Sequence, residues 1–523
     1  MGHSFDIYDL RTQLLVGLGA LTAWLIVQFL LKLRAVGFSR SKFYPFQPYG
    51  LPGALLPNTW WNASSLYAWE GRNTIYKDRE TFTLVPFLTG PPMLFTSSIE
   101  VTRQVTAHKA PFDKNKLYLQ GLRPFGDNLV TELSHGEWSR HRRVVNPAFN
   151  QELYRLVWAS SVRTFKDMTA SERWDLKDTV DIANIGDLVG KFALLIITDV
   201  GFGMPLSWNE PPGSSEDGMT LLEAFEVMTR NLMLTLVTPK WATNLPIKEL
   251  QRTKQSHEKI FSVMREFVQD RRAQLGNKTE AEKTQESRTI LNLLLDANDH
   301  EGKGVLNDQE LFSNVFVMLF AGHETSAKTM AATLGMLAIH PEEQEKVYAH
   351  VRKLLAGGRD PTFDDFDALR PVQACLMEAL RLFPTGALII RQPTEDTVLR
   401  PEGEQPPVFV STKTLIVCDV TGINYNPRYY PDPNAFIPSR WTDTKEPEYF
   451  SFGAGPRACI GRKFAMFEMT CFLALFLRDW KVEPIYRLGE TSQGWRKRVL
   501  EDTVTLTVTM GPDMVPVRII RRS

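Results

Sequence analysis

Cysteine is scarce, with four residues in a chain of 523. That excludes a disulfide-stapled scaffold and points to a reducing compartment. An excess of either charge is missing too. Sixty Lys and Arg balance sixty Asp and Glu. A general nucleic-acid binder would carry a basic excess, so no nucleic-acid partner is expected. No repeat is evident, and from about residue 58 no linker is long enough to split the chain. Hydrophobic residues at 43% and charged residues at 23% exclude wholesale disorder and collagen-like repeats. Long apolar runs are limited to one.

That run is Leu14 to Leu31, LLVGLGALTAWLIVQFLL, which carries no formal charge. At about 1.5 Å per residue it nearly spans a hydrocarbon core of about 30 Å. Asp6, Asp9 and a single base, Arg11, precede it; Lys32, Arg34, Arg40 and Lys42 follow. This asymmetry argues against a cleaved signal peptide and for a signal anchor, with the chain beyond it cytosolic. Residues 1–43 therefore read as a membrane anchor with a basic flank. Pro45, Pro48, Pro52 and Pro57 make 44–57 a stiff hinge. Residues 58–523 read as one large domain, mainly α with a minor β portion.

Within it, Thr81 to Leu88 and Met93 to Thr96 are strand-like, as are short runs near Thr414 to Val420 and Thr503 to Val508. Leu221 to Leu236 and His257 to Leu275 read as amphipathic helices. Asn209 to Gly218 and Gly276 to Ser287 read as loops. Some motifs fail. Asp296 to Glu301 resembles a calcium loop, but Glu301 stands where a Gly is needed and Asn307 where a Glu is needed. Gly453 and Gly455 lack the third Gly of a dinucleotide fingerprint. The sequons at Asn62 and Asn277 should be silent in a cytosolic domain.

Chemistry concentrates in four segments. The first is Phe452-Gly-Ala-Gly455-Pro-Arg457-Ala-Cys459-Ile-Gly461, followed by an apolar run, Phe464 to Leu477. Glycines at 455 and 461 allow close approach of a flat ligand. A Cys at a helix N-terminus beside Arg457 has its thiolate favoured, and a thiolate is what a haem iron needs. Cys375, Cys418 and Cys471 lie in regular apolar elements and read as structural. The second segment is a helix from about Asp308 to His340, opened by a capping box of Asn307 and Glu310. It carries Ala321-Gly322-His323-Glu324-Thr325-Ser326, small and polar residues in an otherwise apolar helix, suited to a bend and a ligand. The third is Glu378 and Arg381, on one helix face. The fourth is Trp138-Ser-Arg-His-Arg142-Arg143, which could grip an anionic ligand edge.

The set resembles the cytochrome P450 family of haem-thiolate monooxygenases. FGAGPRACIG is similar to the family's cysteine loop, AGHETS to its distal helix signature and EALR to its Glu-x-x-Arg. Phe436-Ile-Pro-Ser-Arg440-Trp441 is similar to the segment that supplies a partner arginine. The resemblance runs from about residue 45 to the end, in the family's order, and the anchor and hinge resemble those of the microsomal eukaryotic class.

The resemblance implies that Cys459 is the proximal ligand of haem b iron. Thr325 and Glu324 become the distal proton-delivery pair. Trp138, Arg142, Arg391 and Arg457 become holders of the haem propionates, with Phe452 and Gly322 also against the haem. Glu378, Arg381 and Arg440 become a structural triad. Electrons from NADPH are expected through a separate NADPH–cytochrome P450 reductase, docked on a basic face that includes Arg140, Arg143, Arg462 and Lys463. The expected reaction inserts one atom of O2 into a lipophilic small molecule, at an endoplasmic-reticulum membrane. Leu388 to Ile390, Val315, Met318 and Leu319 are expected to form an apolar wall, with Leu117–Leu129 and Leu222–Leu236 also lining the pocket. A terpenoid or polyketide of secondary metabolism is the favoured substrate class. A haem-thiolate isomerase or dehydratase, and a non-enzymatic haem sensor, are the rivals; Thr325 and the lack of an output module weigh against them.

Overall fold

The structure is a computed structural model. It describes residues 7–36, 41–133, 135–209, 218–238, 242–243, 245–276, 289–299, 305–401, 406–442, 449–506 and 508–522. Most of both expected loops, the Asn277 sequon and the end of the failed calcium loop lie outside them. The helices that matter below are α1 (Ile7–Val36), α2 (His135–Val145), α3 (Ile185–Ile196), α4 (Leu221–Arg230), α5 (Asp308–Ile339), α6 (Arg370–Leu382) and α7 (Arg462–Asp479).

The chain beyond residue 58, expected as one domain, gathers into two compact units. One comprises Met1–Asn115, Leu388–Pro433 and Ala454–Pro456; the other comprises Lys116–Ala387, Asn434–Gly453 and Arg457–Ser523. The first unit holds a mixed six-stranded sheet built from β1 (Ser41–Phe46), β2 (Thr81–Thr89), β3 (Met93–Thr96), β4 (Phe112–Asp113), β5 (Leu388–Pro393) and β6 (Leu415–Asp419). Their spatial order is β1-β2-β3-β6-β5-β4. The β2–β3 hairpin is antiparallel, Thr81 facing Thr96, and β3 runs parallel to β6, Met93 facing Leu415. Leu94, Val101, Val105, Ile416 and Cys418 are buried behind the sheet. Cys418 is thus a core residue, as expected.

The proline-rich stretch is not a free hinge. Tyr44 and Phe46 belong to β1, which pairs in parallel with β2, and the register slips between them at Pro45. A proline lacks the N–H a ladder needs, and an irregular edge strand accommodates it. Asn62 is fully buried, and its amide donates to the carbonyls of Gly53, Leu56 and Pro57. It clamps the stretch to the body, so its sequon is silent through burial, whichever side of a membrane it faces. The apolar part of α1, Thr12–Val36, is long enough to cross a membrane, and its most apolar window is left unburied by the protein. Its base is seated by Phe29 against Phe43 and Phe87, at ring distances of 5.8 and 6.4 Å, and by Lys32 donating to the Pro86 carbonyl.

The second unit is helical, with α5 buried along most of its length. The expected capping box is present: the Asn307 side chain accepts from the Glu310 amide, and Glu310 accepts from the Asn307 amide, both at 2.9 Å. The helix expected at Leu221 to Leu236 breaks at Asn231, whose side chain donates to Thr253 instead of facing solvent. Strands Trp480–Pro484, Val517–Arg521 and Thr179–Ile182 form a small antiparallel sheet, and Val504–Leu506 pairs with Met510–Pro512.

Candidate functional site

The cysteine loop leads directly into α7. Cys459 donates its amide to the Phe452 carbonyl at 2.8 Å, closing the loop, and Gly453 (φ 71°) donates to Phe450. Gly455 has φ 66°, and a Cβ there would lie 1.9 Å from the Thr106 carbonyl oxygen, so only glycine fits. Gly461 differs: a Cβ would meet Cys459 Sγ at an ordinary 3.9 Å.

Cys459 is the one exposed cysteine; Cys375, Cys418 and Cys471 are buried. Burial nonetheless pushes the Cys459 thiol above its ordinary value, opposed by the Gly461 amide, Arg142, Arg462 and the Arg462 amide. The helix-terminal amides favour the thiolate as expected. The cations that help are Arg142 and Arg462, not Arg457.

Arg457 has another role. It donates to the carbonyls of Glu132 and Leu133, at 2.7 and 2.8 Å, and lies 4.5 Å from the centre of the Trp138 ring. Arg142, one turn beyond Trp138 on α2, lies 5.9 Å from the same ring and donates to the Ala458 carbonyl. The structure thus brings Trp138, Arg142, Arg457, Phe452 and Cys459 together within one unit. Arg391 belongs to the other unit, on β5. Burial pulls its guanidinium below the ordinary value, and Nη1 donates to the Ile390 carbonyl.

On α5, Thr325 Oγ1 donates to the Ala321 carbonyl at 2.8 Å, and the helix runs on without a break. A Cβ on Gly322 would approach Ile197 Cγ1 to 3.0 Å, so this glycine admits a neighbouring helix in that direction. Glu324 accepts from Thr509 at 2.6 Å and pairs with Lys328 at 3.5 Å. Met318, two turns before Thr325, shares its face. Val315 and Leu319 turn to another side and are fully buried, and Leu222 lines a cavity beside Glu324. Among the docking cations, Arg143, Arg462 and Lys463 are exposed. Arg140 is engaged by Glu137 and Glu310.

Glu378 and Arg381 form a fully buried two-bond ion pair at 2.7 and 2.9 Å. Arg440 approaches Glu378 to 3.4 Å. Two further donors were not anticipated: the Ile437 amide at 3.0 Å and the Trp441 indole at 2.8 Å. Trp441 sits in the segment already singled out, but nothing in sequence marks its N–H as a donor to Glu378.

An accessible thiol at a helix N-terminus, with cationic side chains around an indole, is a donor set that fits a flat anionic macrocycle holding a thiolate-seeking metal. Residues 79–495 match the family described as Cytochrome P450. The chain belongs to the cytochrome P450 family. It is 33% identical to cytochrome P450 monooxygenase 124 of Postia placenta, covering 78% of this chain and 80% of that one. It is 30% identical to human cytochrome P450 4F11, covering 76% of each. Among solved structures, the haem domain of cytochrome P450DA superposes with a TM-score of 0.72 at 22% identity, covering 92% of this chain and 98% of that one, which shows the fold. The P450 fold implies a haem-thiolate cofactor and monooxygenase activity. The family works with a redox partner, O2 and lipophilic substrates.

Proposed function

We propose that residues 58–523 act as one catalytic domain, a monooxygenase loaded with haem b and supplied with NADPH electrons by a membrane-bound reductase. The observation that carries this reading is Cys459: the one exposed cysteine, held by the Phe452 bond at the head of α7. Haem held by Cys459 Sγ would supply oxygen activation and oxygen-atom transfer. Trp138, Arg142 and Arg457 would hold its acidic edge, and the half-buried Arg391 is proposed for the same task.

Thr325 presents a hydroxyl anchored to the Ala321 carbonyl, a fixed position from which to hold a water. Glu324 is bound through Oε1 by Thr509 and Lys328, and its buried Oε2, which has no hydrogen-bond partner, is the oxygen left for proton delivery. Met318, on the Thr325 face, favours a neutral lipophilic substrate, with a terpenoid or polyketide as the first class to test. The α1 helix and the bases after it support a single-pass anchor in the endoplasmic-reticulum membrane, with the catalytic part cytosolic. Arg143, Arg462 and Lys463 offer the reductase a basic face.

The test is product analysis in microsomes co-expressing the reductase, fed a panel of lipophilic compounds. Oxygenated product that needs both NADPH and O2 supports the reading. Turnover of a peroxide without either would make it an isomerase.

A further inference from the structure

The helix that carries Thr325 has another face, and it borders a cavity of about 180 Å³ within the second unit. The cavity lies between α5, α4 and the start of α3. Gly190, Leu222, Phe225, Ala327, Ala331 and Pro512 give it an apolar lining. Four carboxylates also line it, from Asp187, Glu226, Glu324 and Asp513, with two cations, Arg230 and Lys328. Asp513 pairs with Arg230 at 3.2 Å, and Glu324 with Lys328 at 3.5 Å. Glu226 reaches the same Arg230 only at 3.9 Å, and Asp187 accepts from the Asn184 amide at 2.7 Å. The wall therefore carries more negative charge than it neutralises. Burial raises both Asp187 and Glu226 above ordinary carboxylates, and nearby Asp513 adds to it.

An independent observation comes from His323, which is 3% exposed and lines the cavity. Its Nδ1 lies 2.8 Å from the Leu319 carbonyl, which can only accept, so Nδ1 carries the proton. Burial pushes the ring below its ordinary value and keeps it neutral. Nε2 is then an acceptor. No described residue donates to it, and it is not among the side-chain atoms sealed from solvent without a partner. A buried histidine thus presents a lone pair to the cavity, beside surplus carboxylates.

We propose that this cavity is a second binding site, for a compact organic cation with N–H donors and a small apolar body. The donors meet His323 Nε2 and the Asp187 and Glu226 carboxylates, and the body packs on Leu222, Phe225 and Ala327. Pockets for drug-sized ligands run to about 300–1,000 Å³, so this one admits roughly a single ring. His323 lies two residues before Thr325, roughly 160° to 200° around the helix, so the site is distinct from the Thr325 face.

The probe is benzamidinium, which has N–H donors, one ring and no free lone pair for a metal. Calorimetric titration of the full-length haem-loaded enzyme should show saturable binding with no shift of the Soret band. Neutral benzamide should bind about 10-fold more weakly or less. Glu226→Gln and Asp187→Asn should each weaken benzamidinium by roughly 5- to 10-fold. Ala327→Leu, which fills the lining, should abolish binding while its haem spectrum and melting temperature report an intact fold. Equal binding of benzamide, indifference to all three substitutions, absence of binding, or a Soret shift that tracks occupancy would each overturn the proposal.

Discussion

Trp441 donates its indole N–H to Glu378 Oε2 across 2.8 Å, on the oxygen that also accepts from Arg381 Nε. The carboxylate is fully buried and collects donors from α6, from the Ile437 amide and from the short turn Pro438–Trp441. Removing the acid strands the Arg381 cation, at about 3–5 kcal/mol. Glu378→Ala should therefore yield little folded, haem-loaded protein. Trp441→Phe should fold but melt earlier, at about 1–3 kcal/mol for one lost buried hydrogen bond. Thermal unfolding with haem absorbance reads both; an unchanged melt for Glu378→Ala would dismiss the cluster.

Cys459→Ala should lose the long-wavelength band of the reduced carbon monoxide complex that marks thiolate ligation. Cys375→Ala, Cys418→Ala and Cys471→Ala, all at buried positions, should keep it. Survival of the band in Cys459→Ala would remove the assignment.

Thr325→Val keeps the shape of the side chain and deletes the hydroxyl bonded to Ala321. Its haem spectrum and substrate binding should persist. NADPH should still be consumed, but diverted to peroxide, with product down by about 10²-fold or less, the scale of a lost proton-transfer group. Coupling equal to the parent's would make Thr325 structural.

Glu468 on α7 is fully buried, with both carboxyl oxygens lacking a hydrogen-bond partner. Burial pushes it up to about 8 from an ordinary 4.5. Between those values the folded state binds a proton that the unfolded state releases, so stability falls as pH rises through the window. Relative to Glu468→Gln, the parent should lose about 1.4 kcal/mol per pH unit across it and level off above about 8. Melting curves of both proteins from pH 5 to 9 check this; parallel curves would show that the carboxyl gains a partner.

Carbonate washing of microsomes should leave the full chain in the pellet, because α1 offers an unburied apolar span. Release into the supernatant would make α1 a peripheral element. A glycan at Asn277 would place the domain in the lumen. Asn62 cannot report on this, since its amide is occupied three times over inside the fold.

The capping box of Asn307 and Glu310 was readable because both partners lie three residues apart. The strands β2 and β3 were readable one by one from their local composition, though not their pairing, and the cysteine loop because its spacing carries its chemistry. What sequence did not reveal depends on distant partners. Arg457 looked like the cation for Cys459 by proximity along the chain, yet it points at Trp138, while Arg142 and Arg462 face the thiol. Gly322 was read as room for a ligand, and sequence could not show that Ile197 packs in the direction of its missing side chain. Pro45 looked like part of a hinge until β2 supplied a strand to pair with.

The parallel pairing of β3 with β6, Met93 to Leu415, sets a schedule for synthesis. When β2 and β3 leave the ribosome, the strand that must flank them has yet to be translated. At about 5–20 residues per second, the hairpin waits roughly 15–60 s with an unpaired edge. An open strand edge is a site for wrong pairing. During that interval α1 is already available to a membrane and is joined to the nascent hairpin through β1. Moving α1 to the C-terminus would leave every native contact of the sheet possible, yet lengthen the time its edge spends untethered, and the cost would appear as aggregated nascent chain rather than as a lower melting temperature.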